Sequence, residues 1–155
     1  MDYKKEYKKI VNELIIKSFP ELKDKKIYIY EFNSRKYYGE AGKFIIRRLG
    51  ISKSLRNAKL ILIKGLLAHE LSHLSIFEER NFLKRISDIK YWFNKKRRTK
   101  EENNTIRLAI KKGYAKETYE ISIRQRDNPY RKDINRYYLT PAQIKSYAKS
   151  IGQWK

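Results

Sequence analysis

The sequence predicts an α+β fold. Helical periodicity covers most of the chain, two short runs rich in β-branched and aromatic residues fall in its first third, and only 6 Gly and 3 Pro interrupt it. No repeat or linker divides the 155 residues, a length that suits one core rather than two. The expectation is a single domain over 1–155, with a small twisted sheet near the N-terminus packed on a central apolar helix and residues 114–155 as a helical C-terminal extension.

Each element has its own signal. Residues 4–18 set Tyr7, Ile10, Val11, Leu14 and Ile15 on one stripe that Phe19 continues, an amphipathic helix that Pro20 ends. Residues 26–32 (KIYIYEF) read as a strand, 37–40 with Gly39, then Gly42, as a turn, and 43–47 (KFIIR) as a second strand. Gly50 and residues 52–54 then interrupt, with Ser54 placed to cap the next helix. Residues 57–76 are helical and rich in Leu, Ile and Ala, although periodicity leaves a strand at 59–63 open. Residues 80–93 predict another helix, and 95–100 (KKRRTK) an exposed charged loop. Residues 102–112 form a helix that Gly113 closes, and 114–126 a further one ended by Asn128 and Pro129. Thr140, Pro141 and Gln143 stand at the N-cap, N1 and N3 positions of a last helix reaching Ile151.

Composition excludes several classes. With no cysteine there is no disulfide framework, no thiolate metal site and no thiol nucleophile. The first residues carry no apolar run of the secretory kind, and the longest apolar run, 60–67, is short and broken by Lys64, so a cytoplasmic protein without a membrane partner is expected. A net charge of +21 attracts nucleic acid, anionic lipid or acidic protein without any dedicated site, and it also fits a compositional bias toward Lys. The charged run 95–100, with Trp92 and Phe93 beside it, suits non-specific binding of nucleic acid by charge and base stacking.

The chemistry is concentrated in His69-Glu70-Leu71-Ser72-His73. Two histidines four apart on a helix present both imidazoles on one face, where they can share a metal ion. Glu70 then lies beside that ion, placed to take a proton from water, and zinc is the ion that makes such water acidic enough. The chain's 2 histidines both fall in this motif, so a third protein ligand is a carboxylate. Glu78 and Glu79 lie too close behind the motif to fold back. Glu102 shares a helical stripe with Ile106, Ala109 and Gly113 and ranks first; Glu101, one residue away, and Glu117 and Glu120, further on, remain open.

A His-Glu-x-x-His helix followed some thirty residues later by a glutamate-opened helix resembles the gluzincins, and the small archaeal minigluzincins most. Glu102 and Thr105 match the Glu-x-x-Thr element around the family's third ligand, while Ile106 stands where many members carry an aspartate that supports a ligating histidine. The resemblance covers roughly 26–113. It implies a minimal zincin-like domain and a zinc-dependent peptidase, with zinc on His69, His73 and Glu102, and Glu70 as general base. It also implies a peptide or protein substrate laid along an edge strand, most plausibly 43–47, and a latent form in which a terminal segment covers the cleft. A donor for the transition-state oxyanion is also required, for which Tyr114, Tyr119, Tyr130, Tyr137 and Tyr138 are candidates. The rival expectation is a basic nucleic-acid-binding protein on a degenerate form of the same fold.

Overall fold

Asp2 opens the first helix by accepting the Lys5 backbone N–H at 3.1 Å, and α1 (Tyr3–Ser18) buries Tyr7, Ile10, Val11, Leu14 and Ile15 as its periodicity requires. The computed structural model describes residues 2–42, 46–80, 94–132 and 134–154. Pro20 converts the end of α1 into a short 3-10 turn, Pro20–Leu22, that buries Phe19 and Leu22 completely.

Three strands come next: β1 (Ile27–Phe32), β2 (Gly39–Gly42) and β3 (Arg47–Ser52). Their order is β1-β3-β2, with β3 parallel to β1 and antiparallel to β2. This corrects two expectations. Residues 39–42 form a strand rather than a turn, and the run expected at 43–47 contributes only Arg47 to β3, residues 43–45 lying outside the described residues. Gly50 sits mid-strand instead of breaking one. It pairs with Tyr30 on one side and Glu40 on the other, and a Cβ there would lie 2.8 Å from the Tyr30 ring and 2.9 Å from Glu40. The bare backbone lets the Tyr30 hydroxyl donate across it to the Glu40 carboxylate, tying both edge strands together over the central one.

A short turn, Lys53–Leu55, leads to α2 (Leu60–Glu78), which is helical throughout and carries no strand at 59–63. By length and composition α2 could cross a bilayer, but 67% of that stretch is buried inside the protein, which marks a core helix. Leu66, Leu67, Leu71 and Leu74 are buried to 1% exposure or less and join the sheet and α1 in one core.

The helix expected at 80–93 lies outside the described residues beyond Arg80, as do Trp92 and Phe93. The charged run 95–100 is not a loop. Asn94 accepts from the Lys96 and Arg97 backbone N–H groups, and α3 (Lys95–Lys111) begins there, two turns earlier than expected. Gly113, at φ +97°, closes it, and the Tyr114 N–H bonds back to Ala109 O at 3.1 Å. α4 (Ala115–Arg126), α5 (Ile134–Tyr137) and α6 (Pro141–Ser150) complete the chain. Thr140 and Gln143 form the expected capping box. Ile106, Ile110, Ala115, Leu139, Ile144 and Ala148 make a second small core, closed by Trp154 edge-on to Tyr119 at 5.2 Å. The architecture is α+β, a three-stranded mixed sheet near the N-terminus on a mainly helical body.

Candidate metal centre

Leu67, Leu71 and Leu74 bury one face of α2 in the core. On the other side of the helix His69 and His73 stand one turn apart, their rings 4.8 Å centre to centre and almost perpendicular at 87°. On α3 the buried residues Thr105, Ile106, Ala109 and Ile110 turn the first half of the helix toward α2. That rotation brings Glu102 inward, with Oε2 3.3 Å from His69 Nε2 and 3.3 Å from His73 Nε2. Ligand atoms of these three residues all lie within 4.8 Å of one another.

Three features bear on the ability of this donor set to hold a metal ion. Zinc bond lengths of about 2.0–2.1 Å correspond to a tetrahedral edge of roughly 3.3 Å; Glu102 Oε2 stands at that separation from each imidazole nitrogen, while the three ligand atoms as a set lie within 4.8 Å of one another. Glu102 Oε2 is also enclosed with no well-aligned hydrogen-bond donor, an arrangement that is unfavourable without a cation. The third is the His73 tautomer. Thr105 Oγ1 donates its proton to the Glu101 carbonyl at 2.9 Å, so it accepts from His73 Nδ1–H at 3.2 Å. His73 Nε2 then faces the Glu102 carboxylate at 3.3 Å, a pair of basic atoms that a shared proton or a metal ion can hold together.

The same geometry separates the acidic candidates. The Glu101 carboxylate lies 3.8 Å from His73 Nδ1, the nitrogen away from Glu102, and 3.9 Å from Arg80. Thr105 and Glu101 thus both lie on the side of His73 away from Glu102. Glu117 meets α2 through its backbone beneath Gly65, Glu120 is exposed, and Glu78 is held by Arg47 at 2.6 Å. None of these three belongs to the cluster.

Electrostatics differ sharply between the two central carboxylates. Burial raises the Glu102 carboxyl, but the His73 and His69 imidazoles outweigh it and hold it well below the usual range, so it is an anion suited to a metal. For Glu70 burial wins: its carboxyl is raised despite the pull of His69, His73 and Arg131, which suits a group that takes up and returns a proton. The start of β2 closes over it, since a Cβ on Gly39 would lie 2.8 Å from Glu70 Oε1.

Of the five candidate tyrosines only Tyr138 reaches the site, its ring 6.2 Å from that of His69. Burial and the Glu102 charge push its phenol far above the usual value, so it stays a hydrogen-bond donor. Tyr114 stacks on Phe19, Tyr119 meets Trp154, Tyr130 is exposed, and Tyr137 lies under Arg98. Two arginines were not anticipated. Arg131 is 5% exposed with its guanidinium 4.7 Å over the Tyr138 ring, and Arg98 stands one helical turn before Glu102. The Arg98 spacing is visible in the sequence; Arg131 arrives from a loop and carries no sequence signal.

The expected substrate edge at 43–47 is also corrected, because Arg47 opens the central strand, already paired on both sides. β2 is an edge of the sheet, and it is the strand beside Glu70. Comparison with known proteins finds no family model, no curated protein and no solved structure that matches this chain.

Proposed function

We propose that this chain is a zinc-dependent peptidase of minimal zincin type, resembling the gluzincins. The observation that carries the proposal is the convergence of His69, His73 and Glu102 beside a raised, buried Glu70. His69, His73 and Glu102 would hold the ion, which when bound supplies a Lewis acid for water and for the scissile carbonyl. Glu70 takes the proton of the attacking water and returns it to the leaving amine. The outer edge of β2, unpaired among the described residues, binds the peptide as an added strand, with its carbonyl directed at the site, and Tyr138 donates to the oxyanion.

The ligand side chains are only 10–13% exposed, and the segment between α4 and α6 closes over them through Tyr138. This supports a latent form that opens by displacement of that segment, which Asn128 pins to Arg35 O at 2.8 Å.

The test has two stages. Metal analysis of purified protein should give about one zinc per chain in the wild type and little in Glu102→Ala. Hydrolysis of a peptide library, before and after limited proteolysis of the closing segment, should occur in the wild type and vanish in Glu70→Gln with zinc retained. A chain that takes up no zinc sinks the proposal, as does a Glu70→Gln variant of undiminished activity.

A second reading, nucleic-acid binding, draws on α3. Lys95, Lys96, Arg97 and Lys100 are exposed on its first turns, and no acid stands in the first turn to offset them.

A further inference from the structure

Burying a guanidinium without an anion is costly, and buried charges are ordinarily paired. Arg131 departs from this. It is 5% exposed, lies between the Tyr138 ring at 4.7 Å and the Tyr37 ring at 5.7 Å, and its Nε is enclosed without a hydrogen-bond partner. Among the described residues no carboxylate lies within 4.0 Å of it. Arg98, also an electrostatic neighbour of Tyr138, repeats the pattern: its guanidinium lies 4.6 Å over the Tyr137 ring, and its Nε is also enclosed without a hydrogen-bond partner. Aromatic faces offset part of such a charge but accept none of its hydrogen bonds. Both arginines act electrostatically on the metal-site carboxylates, Arg131 on Glu70 and Arg98 on Glu102. Among the described residues neither is paired with those carboxylates, so the donors are open to a group from outside.

We propose that Arg131 and Arg98, arranged about Tyr138, form an anion subsite beside the metal centre that receives a carboxylate of the substrate. This rests on the peptidase reading and adds to it the class of peptide taken. A guanidinium fork matches a carboxylate in two parallel hydrogen bonds, and a site closed to water strengthens them. The carboxylate comes either from a peptide's free C-terminus or from an acidic side chain next to the scissile bond.

The test is a binding measurement on the full-length, zinc-loaded chain carrying Glu70→Gln, so that no turnover occurs. Three fluorescent pentapeptides of otherwise identical neutral sequence are titrated by anisotropy at physiological salt. One has a free C-terminus, one is amidated with an internal Glu, and one is amidated and neutral. At least one carboxylate peptide should bind on the order of tenfold or more tightly than the neutral one, and the one that does identifies the source. Arg131→Lys keeps the charge but not the fork and should remove most of that preference, as should Arg98→Gln; the surface change Lys96→Gln should leave it intact. Should Arg131→Lys fail to fold, Arg98→Gln and the three-peptide comparison decide alone. Equal binding of all three peptides, binding of none, or a preference that survives both arginine changes overturns the subsite. A chain that holds zinc and hydrolyses neutral and acidic peptides alike keeps the peptidase and loses the subsite. One that discriminates carboxylates without hydrolysing anything does the reverse.

Discussion

Thr105 shows how a small polar side chain can set the state of a candidate metal ligand. Its hydroxyl has one proton, committed to the Glu101 carbonyl, and so it dictates which nitrogen of His73 carries hydrogen. Replacing it by valine keeps the shape and frees the tautomer, so zinc affinity, read by competition with a chromophoric chelator, should fall about 10- to 100-fold. Serine should restore most of it, and an unchanged affinity in Thr105→Val would mean that the tautomer is set by something other than this hydroxyl. At this scale the sequence is most legible where neighbours are local. His69, Glu70 and His73 share one turn and a half of a single helix, and Glu102 shares a stripe with Ile106 and Ala109, so their facing directions follow from helical geometry alone. The Thr105 to His73 contact depends on how α2 and α3 cross, which no local pattern encodes, and Arg131 depends on a loop path.

Between elements, close approach decides what the site can be. A Cβ on Gly65 would lie 2.2 Å from the Glu117 carbonyl oxygen, so α2 and α4 meet backbone to backbone there. Gly65→Ala gains up to about 1 kcal/mol of helix propensity. It must also push two helices apart, and a net loss of roughly 1–3 kcal/mol in urea unfolding is expected. A stabilised variant would mean that the helices can separate freely. A second junction is ionic: Glu21, in the turn after α1, accepts from Ser75 on α2 and from Lys112 at the end of α3 at 3.1 Å. Burial raises the Glu21 carboxyl, but Ser75 and Lys112 outweigh it and leave it lowered. A lowered folded value stabilises the fold above the unfolded value, and that contribution is lost as pH falls through the folded one. Wild type should therefore exceed Glu21→Gln by about 1 kcal/mol near neutral pH, with the gap closing below the usual carboxylate range. A gap that widens on acidification would reverse the sign of this interaction. The elements misread from sequence share a cause. Local charge suggested a loop at 95–100, where the Asn94 cap starts a helix, and Gly39 and Gly50 suggested breaks, where cross-strand neighbours fill the space over them.

Across the whole molecule, the helix-rich α+β character was legible because it sums many weak signals, whereas the strand order β1-β3-β2 was not, since pairing is a long-range property. The net charge of +21 is likewise a whole-molecule quantity, and it bears on which of two functions the protein serves. A diffuse field and a built nucleic-acid interface predict different responses to salt. Each phosphate that a protein neutralises steepens the dependence, and an interface that neutralises about 6–10 of them loses roughly 10³–10⁵ in affinity between about 50 and 200 mM salt. The four exposed cations on the first turns of α3 are a small part of the 38 Lys and Arg, and they stand apart from the buried metal centre. Binding of a single-stranded oligonucleotide should therefore be detectable at low salt and vanish near physiological salt. Replacing Lys95, Lys96, Arg97 and Lys100 together by glutamine should flatten the salt slope while leaving zinc content and peptide hydrolysis unchanged. Oligonucleotide affinity that persists at physiological salt and collapses in that quadruple variant would instead assign the α3 face to nucleic acid. The zinc-site chemistry would then act on proteins held on such a strand, or would not be the protein's main role.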